Sequence, residues 1–395
     1  MKKGIGLAVI AALAAAIAAT TAHGGPKVAA TSQSVSCKST LKIAMVTPLT
    51  GGAAFLGVEQ LSWAKYAVKT LAPQMGLKVQ LLQGDTPVEQ GAAPALALAQ
   101  KYAADPKVVG IIGPSTSGDA EASAQTYFQA GIAQISPSAT DTPLTYTVNG
   151  KKLGTPAFFR DVPANNVEGP TIATYIAGTL KAKNVVVFDF QEPYSQGLAA
   201  AVSTYLTAHN VSVVRLSAPN TTTDYSSYVT KVPSNTDVVF FPTQQPPAAQ
   251  TFAEQLVEQG KSAVVFGGDG ADAPAQFNKP GGYVANFAPD ISGIPADKAI
   301  VAGWKKANPS STLGSFGPPT YGAVQIMLNA IKIACTKDKG TLKSRADVFK
   351  NVKKVTVKNW ILGGTFKWST KTNDPLNGHF YIFKIQSNGS YKLVN

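Results

Sequence analysis

Short polar segments follow several of the apolar runs in this sequence, and their residue types suit the binding of a small charged molecule. Residues 113–118 (GPSTSG) and 135–140 (ISPSAT) are rich in hydroxyl groups. Hydroxyls and backbone N–H groups at the start of a helix suit a carboxylate or another small anion. Residues 191–197 (QEPYSQG) offer amides and a tyrosine, and residues 266–270 (FGGDG) offer one carboxylate.

Common catalytic motifs are missing from the sequence. It contains neither a G-x-S-x-G nor an H-E-x-x-H motif. Residues 260–262 (GKS) resemble the end of a phosphate-binding loop, but Gln255 stands where the first glycine of that motif belongs. His209 and His379 have no evident Ser or Cys partner for a catalytic triad. We therefore expect a binding protein rather than an enzyme.

The polar segments must be positioned by the strands and helices around them. Along the chain, short apolar strands alternate with helices. In the first half, helices are predicted between strands at 41–46, 79–82, 108–113 and 133–136, the second of them over 88–104. The alternation restarts after residue 155, with predicted strands at 184–190, 211–216, 237–241 and 263–266. Such alternation predicts parallel sheets that are covered by helices on both faces. Ligands of these sheets bind beyond the carboxyl ends of the strands, where the polar segments lie.

A third block follows residue 280. Helices are predicted near 295–307, 319–336 and 342–352, and a hairpin is predicted over 378–394 around the Asn-Gly turn signal in 387–390 (SNGS). With 395 residues, the chain exceeds one ordinary core. We therefore expect two α/β units with a ligand cleft between them.

The composition narrows the class of protein further. With 45% apolar and 14% charged residues, the chain is folded rather than disordered. Three His and two Cys are too few for the usual Cys/His zinc cluster, and we expect neither a metal nor a cofactor. The net charge is +13, but the lysines are scattered. A solvated basic surface is a better explanation than a nucleic-acid site.

The N-terminus has the pattern of a secretory signal peptide. Lys2 and Lys3 precede an uncharged apolar run from 4 to 19, and small residues follow it. We predict a signal peptide at 1–22, a flexible tether at 23–39, and a soluble protein that is periplasmic or otherwise exported. In an oxidising compartment Cys37 and Cys335 are a candidate disulfide. The alternative is one buried and one exposed thiol.

Six segments together resemble a known family. KIAMVTPLTG, VVGIIGPSTSG, QISPSATDTPLT, FDFQEPYSQGLA, VVFGGDGAD and PTYGAVQIMLNAI occur in this order. They resemble the type I periplasmic solute-binding proteins of ABC transporters, in particular the branched-chain amino acid (leucine/isoleucine/valine) receptors. The resemblance implies two Rossmann-like lobes joined by three crossovers, near 160–163, 284–290 and 360–378. Lobe 1 would comprise 40–160 plus 288–360, and lobe 2 would comprise 163–284 plus 361–395.

The resemblance also implies roles for individual residues. Ser115 matches the family serine that binds the ligand's α-carboxylate, and Asp269 matches the acid that holds its α-ammonium, although Asp is one methylene shorter than the Glu of those receptors. Tyr194 matches the aromatic that covers the ligand from the second lobe. The remaining matches are Thr116, the SPxAT residues Ser138, Ala139 and Thr140, and, at two aromatic positions of the family, Leu56 and the pair Gln244 and Gln245.

Purely structural roles remain open for the same side chains. Ser115 and Thr140 could be plain helix caps, Asp269 could cap a turn, and Tyr194 could be a rim aromatic. The resemblance implies a monomeric receptor that closes on an amino acid of the branched-chain type and delivers it to a membrane permease. Aromatic carboxylates or amides as ligands, and a sensing role, are the alternatives. The Gln pair bears on this choice, because amides form hydrogen bonds where an aromatic wall would only pack.

Overall fold

The computed structural model describes residues 34–145 and 154–395, and the backbone of 147–148 and 151–152. The predicted signal peptide and the tether up to residue 33 lie outside the described residues. The last part of the predicted tether is ordered, which corrects the prediction for these residues. Val35 and Ser36 form strand β1 (Val35–Ser36), which pairs with backbone near Thr341, and Val35 and Cys37 are buried.

The first lobe is built on a parallel five-stranded sheet with the order β3-β2-β4-β5-β8. On β2, Ile43 and Met45 belong to the core on one face, and Ala44 and Val46 to the core on the other. Burial on both faces explains why this strand is a continuous apolar run. Its elements are β2 (Leu41–Thr47), α1 (Ala54–Gln74), β3 (Val79–Asp85), α2 (Ala93–Ala104), β4 (Val108–Ile112), α3 (Ser117–Gln129), β5 (Ala133–Ser136), the hairpin of β6 (Thr147–Val148) and β7 (Lys151–Lys152), and β8 (Phe158–Arg160).

The second lobe is built on a seven-stranded sheet with the order β10-β9-β11-β12-β13-β17-β18, in which β17 is Tyr381–Ile385 and β18 is Tyr391–Leu393. Its first five strands are parallel, and β17 and β18 add to the edge in antiparallel fashion. Its elements are α4 (Asn165–Thr174), which continues as a π-helical turn (Tyr175–Thr179), β9 (Asn184–Phe190), α5 (Pro193–Ala208), β10 (Ser212–Ala218), α6 (Ser226–Val229), β11 (Val238–Phe241), α7 (Pro246–Glu258), β12 (Val264–Gly267) and β13 (Tyr283–Asn286).

The last third of the chain returns to the first lobe before it completes the second. The long helix α9 packs against α1, and Trp63 of α1 stacks on Trp304 of α8 with ring centroids 4.7 Å apart. The elements of this part are α8 (Lys298–Ala307), α9 (Gly317–Lys337), β14 (Thr341–Leu342), α10 (Ala346–Val352), β15 (Val357–Lys358), β16 (Thr365–Phe366), β17 (Tyr381–Ile385) and β18 (Tyr391–Leu393).

The predicted boundary between 360 and 361 divides residues that pack together. Ile361, Phe366 and Trp368 belong to the core of the first lobe, beside Trp360. In addition, β15 and β16 pair across the predicted cut. Residues 361–368 therefore belong with the first lobe, and the chain reaches the sheet of the second lobe only at β17.

Cys37 and Cys335 form a disulfide that spans 298 positions of the sequence. Both cysteines are buried, and they join the residue after β1 to the last turn of α9. The bridge therefore ties the beginning of the described chain to a helix in the core of the first lobe.

Within the described ranges, no helix combines the length and apolar character needed to span a bilayer. In the same ranges, no three or more His, Cys, Asp or Glu side chains gather as a metal site would require.

Candidate ligand-binding cleft

The strand-end loops of the two lobes meet in this structure. Asn220, after β10, donates from Nδ2 to the carbonyl oxygen of Val88 in the first lobe at 3.1 Å. Ser315, just before α9, donates its hydroxyl to Asp272 of the second lobe at 2.6 Å. These two hydrogen bonds join the lobes across the cleft.

A buried amide organises the hydroxyl side of the cleft. Gln60 of α1 is fully buried, and its Oε1 accepts the hydroxyls of Thr47 at 2.8 Å and Ser115 at 2.6 Å. Its Nε2 donates to Ser138 Oγ at 2.9 Å, and Ser138 in turn donates to the carbonyl of Ser115 at 2.7 Å. The predicted residues Ser115 and Ser138 are thus brought together by Gln60, and the Ser115 hydroxyl proton is engaged within the protein.

Thr116 has the role of a helix cap in this structure. Its hydroxyl donates to Asp119 at 2.6 Å, and its oxygen accepts the Asp119 N–H at the start of α3. Such an interaction stabilises the helix start by about 1 kcal/mol. The residue that caps the helix is therefore Thr116, and not Ser115 or Thr140, for which the sequence left a capping role open.

Ala139 and Thr140 contact the residues that flank the crossover at 160–163. The N–H of Ala139 donates to Ser136 Oγ at 2.9 Å, and its carbonyl accepts from Arg160 at 3.0 Å. The Thr140 carbonyl accepts the N–H of Asn165 at 2.8 Å, and Thr140 Oγ1 lies 2.9 Å from the Asn165 amide nitrogen in the orientation that satisfies its neighbours. Thr140 therefore contacts the first residue of α4.

Two carboxyl groups and one phenol meet on the second lobe. Glu168 Oε1 accepts the N–H of Asp269 at 2.9 Å, and Tyr194 Oη accepts the N–H of Gly270 at 3.0 Å. Tyr194 is only 1% exposed and Asp269 2%, so Tyr194 is not a rim aromatic in this structure. Among the described residues, Asp269 Oδ1 and Glu168 Oε2 have no hydrogen-bond partner.

Burial shifts the ionisation of these acids. Burial raises the pKa of Asp269 to about 6. It also raises the pKa of Glu168 well above its ordinary value, and the neighbouring charge of Asp269 raises it further. Two carboxyls in contact at a dry site do not both ionise at ordinary pH unless a cation joins them, so without one the pair retains a proton.

Two more carboxyls extend this group towards the first lobe. Asp272 lies three residues after Asp269, and burial raises its pKa to about 7. Glu59 of α1 accepts the N–H of Gly317 at 2.7 Å, and burial raises its pKa to about 8. The charge of Asp272 contributes to the raised pKa of Glu59, which shows that the two acids are near neighbours across the lobe boundary.

Leu56 and Gln245, which match aromatic positions of the family, lie in different surroundings. Leu56 lies in an apolar cluster with Val162, Phe287 and Phe316. Gln245 donates from Nε2 to the carbonyl of Asn220 at 2.7 Å and so braces the loop after β10.

Gln244 and Thr116 line a cavity of about 550 Å³ between the lobes. The far side of this cavity is formed by the segment after β3 and by the start of α5, where Glu192 and Pro193 lie.

Gln60, Glu59, Glu168 and Asp272 were missed from the sequence. For two of them a signal existed. Gln60 is four residues after Leu56 and four before Ala64, on the buried face of α1, and Glu168 is four residues before the buried Ile172. A polar side chain on an apolar helix face is the pattern that would have pointed to both.

Comparisons with known proteins agree with this architecture. Residues 40–390 match the family model described as periplasmic binding protein. The leucine-specific-binding protein of Salmonella typhimurium is 26% identical over 360 residues, covering 89% of this chain and 92% of that protein.

Two solved structures show the same fold. The leucine binding protein LivK from Thermotoga maritima has a TM-score of 0.79 at 22% identity, covering 90% of this chain and 98% of that one. An ABC transporter solute binding protein from R. palustris in complex with benzoate has a TM-score of 0.77 at 18% identity, covering 90% and 96%. The family match spans both lobes and nearly all of the described chain. The protein thus belongs to the periplasmic binding protein family, whose members are solute receptors and not enzymes.

Proposed function

We propose that this protein is the exported substrate-binding component of an ABC importer, and that it captures an amino acid between its lobes and delivers it to a membrane permease. Relatives that are named for binding leucine, or leucine, isoleucine and valine, make the branched-chain amino acids the first class to test. In this proposal the receptor acts as a monomer.

The observation that carries the proposal is the pair of unpaired carboxyl oxygens on Asp269 and Glu168. An uncompensated buried charge costs several kcal/mol, and a ligand ammonium would remove that cost for Asp269. Tyr194, which binds the adjacent Gly270, would then cover the same end of the ligand.

The other end of the amino acid is assigned to the hydroxyl side of the cleft. Ser115, Ser138 and Thr140 follow β4 and β5, at the carboxyl edge of the first sheet, where such folds bind ligands. For Ser115 to donate to a carboxylate, its proton must leave Gln60, so we expect Gln60 to turn or to keep only its bond to Thr47 when ligand binds. Because the two ends of the ligand then contact different lobes, binding favours the closed state.

A ligand that is only a carboxylate fits this cleft less well. Benzoate occupies one relative of the same fold. In this protein such an anion would meet Asp269, Glu168 and Asp272 without an ammonium to balance them. We therefore place the amino acids first and the aromatic carboxylates second.

The test is isothermal titration of the chain from His23 onward, refolded to remove carried-over ligand. Leucine, isoleucine, valine, benzoate and acetamide are titrated separately. Binding of at least one amino acid, with loss of that binding in Asp269→Ala, is the expected result. Asp297→Asn is the control, because Asp297 is an equally buried acid with unpaired oxygens at the start of α8, outside the proposed site. Binding of benzoate or acetamide, and of no amino acid, would refute the proposal.

A further inference from the structure

The cavity between the lobes has a charge opposite to that of the protein as a whole. The chain carries 35 Lys and Arg against 22 Asp and Glu. Nevertheless the cavity of about 550 Å³ is lined by Glu89, Asp119, Glu121 and Glu192, and no Lys, Arg or His is among the described residues that line it. A concave site lined by one sign of charge concentrates ions of the other sign.

This cavity adjoins the proposed amino-acid site. Gly270, next to Asp269, is flanked by Gln244 Cγ and Tyr194 Cε1, each 3.1 Å from where a Cβ atom on Gly270 would lie. Gln244 lines the cavity, and so does Thr116, the neighbour of Ser115. The cavity therefore borders the proposed site at Gln244 on the second lobe and at Thr116 on the first.

The partners of these carboxylates do not neutralise them. Glu192 accepts the N–H groups of Tyr194 and Ser195 at 3.0 and 2.9 Å, so the start of α5 offsets part of its charge. Glu89 accepts the N–H of Gly52 at 2.6 Å. These donors are neutral, and none of the ion pairs found among the described residues includes an acid of this cavity.

The most exposed acids leave room for a ligand cation. Glu89 and Glu121 are exposed, and Glu121 lies one turn into α3 from Thr116. Burial raises the pKa of Glu192 to about 8 and that of Asp119 to about 6, so both would gain from a cation nearby. The unpaired oxygens of Asp269 and Glu168, both buried, add to the same negative field.

We propose that the solute is an amino acid with a positively charged side chain, whose ammonium or guanidinium group lies in this cavity between Glu121 and Glu192. This inference rests on the proposed function and replaces the aliphatic side chain of the branched-chain class with a cationic one. The volume is within the range of small-molecule sites and exceeds what a branched aliphatic group requires.

The experiment compares lysine with norleucine, which has the same carbon chain without the terminal ammonium, by isothermal titration of the refolded protein. Ornithine, arginine and leucine complete the panel. We expect lysine or arginine to bind at least about tenfold more tightly than norleucine, with a difference that shrinks as salt is added. The variant Glu121→Gln should weaken the cationic ligands by roughly 3- to 10-fold and leave norleucine unchanged.

Glu258→Gln is the matched control, because Glu258 is an exposed acid at the end of α7, on the helix that starts after Gln245 but far from its first turn. It should leave every affinity unchanged. If leucine or norleucine binds at least as tightly as lysine and arginine, the cationic class is wrong and the proposed function stands. If Glu121→Gln weakens norleucine as much as lysine, Glu121 does not act through the side-chain charge, which also overturns the inference. If no amino acid binds, both proposals fall.

Discussion

Replacing Asp269 with asparagine should stabilise the ligand-free protein and weaken ligand binding at the same time. Asp269 is 2% exposed, its Oδ1 has no hydrogen-bond partner among the described residues, and burial raises its pKa to about 6. A carboxyl whose pKa is raised on folding opposes folding wherever it must ionise, and the opposition grows as the pH rises from the unfolded pKa to the folded one.

The size of both effects follows from the same numbers. The rise of the Asp269 pKa from its ordinary value of 3.8 to about 6 corresponds to roughly 3 kcal/mol of lost stability above pH 6. The asparagine side chain removes this cost, and for a chain of this length the melting temperature should rise by roughly 3 °C. A bound ammonium loses its charged partner, which should weaken binding by roughly 2–5 kcal/mol, or about 30- to 5000-fold.

The assay is a pair of measurements on one preparation. Thermal unfolding of the refolded, ligand-free protein at pH 7.5 and pH 5 gives the stability. Isothermal titration with the amino acid that binds in the panel described above gives the affinity. The stabilisation by Asp269→Asn should be full at pH 7.5 and should fall to about half at pH 5, because the penalty disappears only below the unfolded pKa of 3.8. Wild-type affinity should itself fall as the pH drops below about 6.

The opposite signs separate a binding acid from a structural one. If Asp269 merely capped the turn over 269–271, the Asp269→Asn variant would have a lowered or unchanged melting temperature and an affinity close to that of the wild type. That outcome, or equal stabilisation at both pH values, would refute the reasoning. Asp297→Asn should leave affinity unchanged and so controls for a general effect of removing a buried charge.

Three further predictions concern the framework of the site. Arg160→Met should destabilise the protein by roughly 3–5 kcal/mol in urea unfolding, because the fully buried guanidinium pairs with Asp374 at 2.7 Å; a loss below about 1 kcal/mol would contradict this. Reduction of the Cys37–Cys335 bridge should lower the melting temperature by freeing a long loop, at a cost of up to roughly 5 kcal/mol, and an unchanged melting temperature in reductant would count against it. Gln60→Leu should cost roughly 2–4 kcal/mol, because three buried hydroxyl bonds are lost, and it should also weaken binding; unaltered affinity would separate Gln60 from the site.

The strands were predicted well because burial on both faces leaves a direct mark on the sequence. The apolar runs at 41–46 and 184–190 correspond to β2 (Leu41–Thr47) and β9 (Asn184–Phe190). Helix starts were less certain. The helix predicted from 88 begins at Ala93, because Gly91 adopts φ +61° and ends a short 3₁₀ turn before Pro94 opens α2.

The site was only partly predictable, because its polar contacts depend on distant segments. The strand-end rule and the family resemblance both pointed to Tyr194 and Asp269, but Glu168, which contacts Asp269, lies 101 positions earlier in the sequence. Gln60 likewise bonds Ser138 across 78 positions. Contacts of this kind arise from how helices pack on sheets, and a local sequence pattern does not specify that packing. The lobe boundary near 360 was misplaced for the same reason.

The return of α9 to the first lobe also determines the order in which the two lobes can be completed during synthesis and export. The five parallel strands of the second sheet lie between residues 184 and 286 as one continuous stretch. The first lobe must wait for α8, α9 and Cys335, and until they emerge, Trp63 of α1 lacks its aromatic partners Trp304 and Tyr321. Exposed apolar surface in an unfinished lobe promotes aggregation. The early strands and helices of the first lobe emerge before those of the second, and they therefore need protection from aggregation for longer.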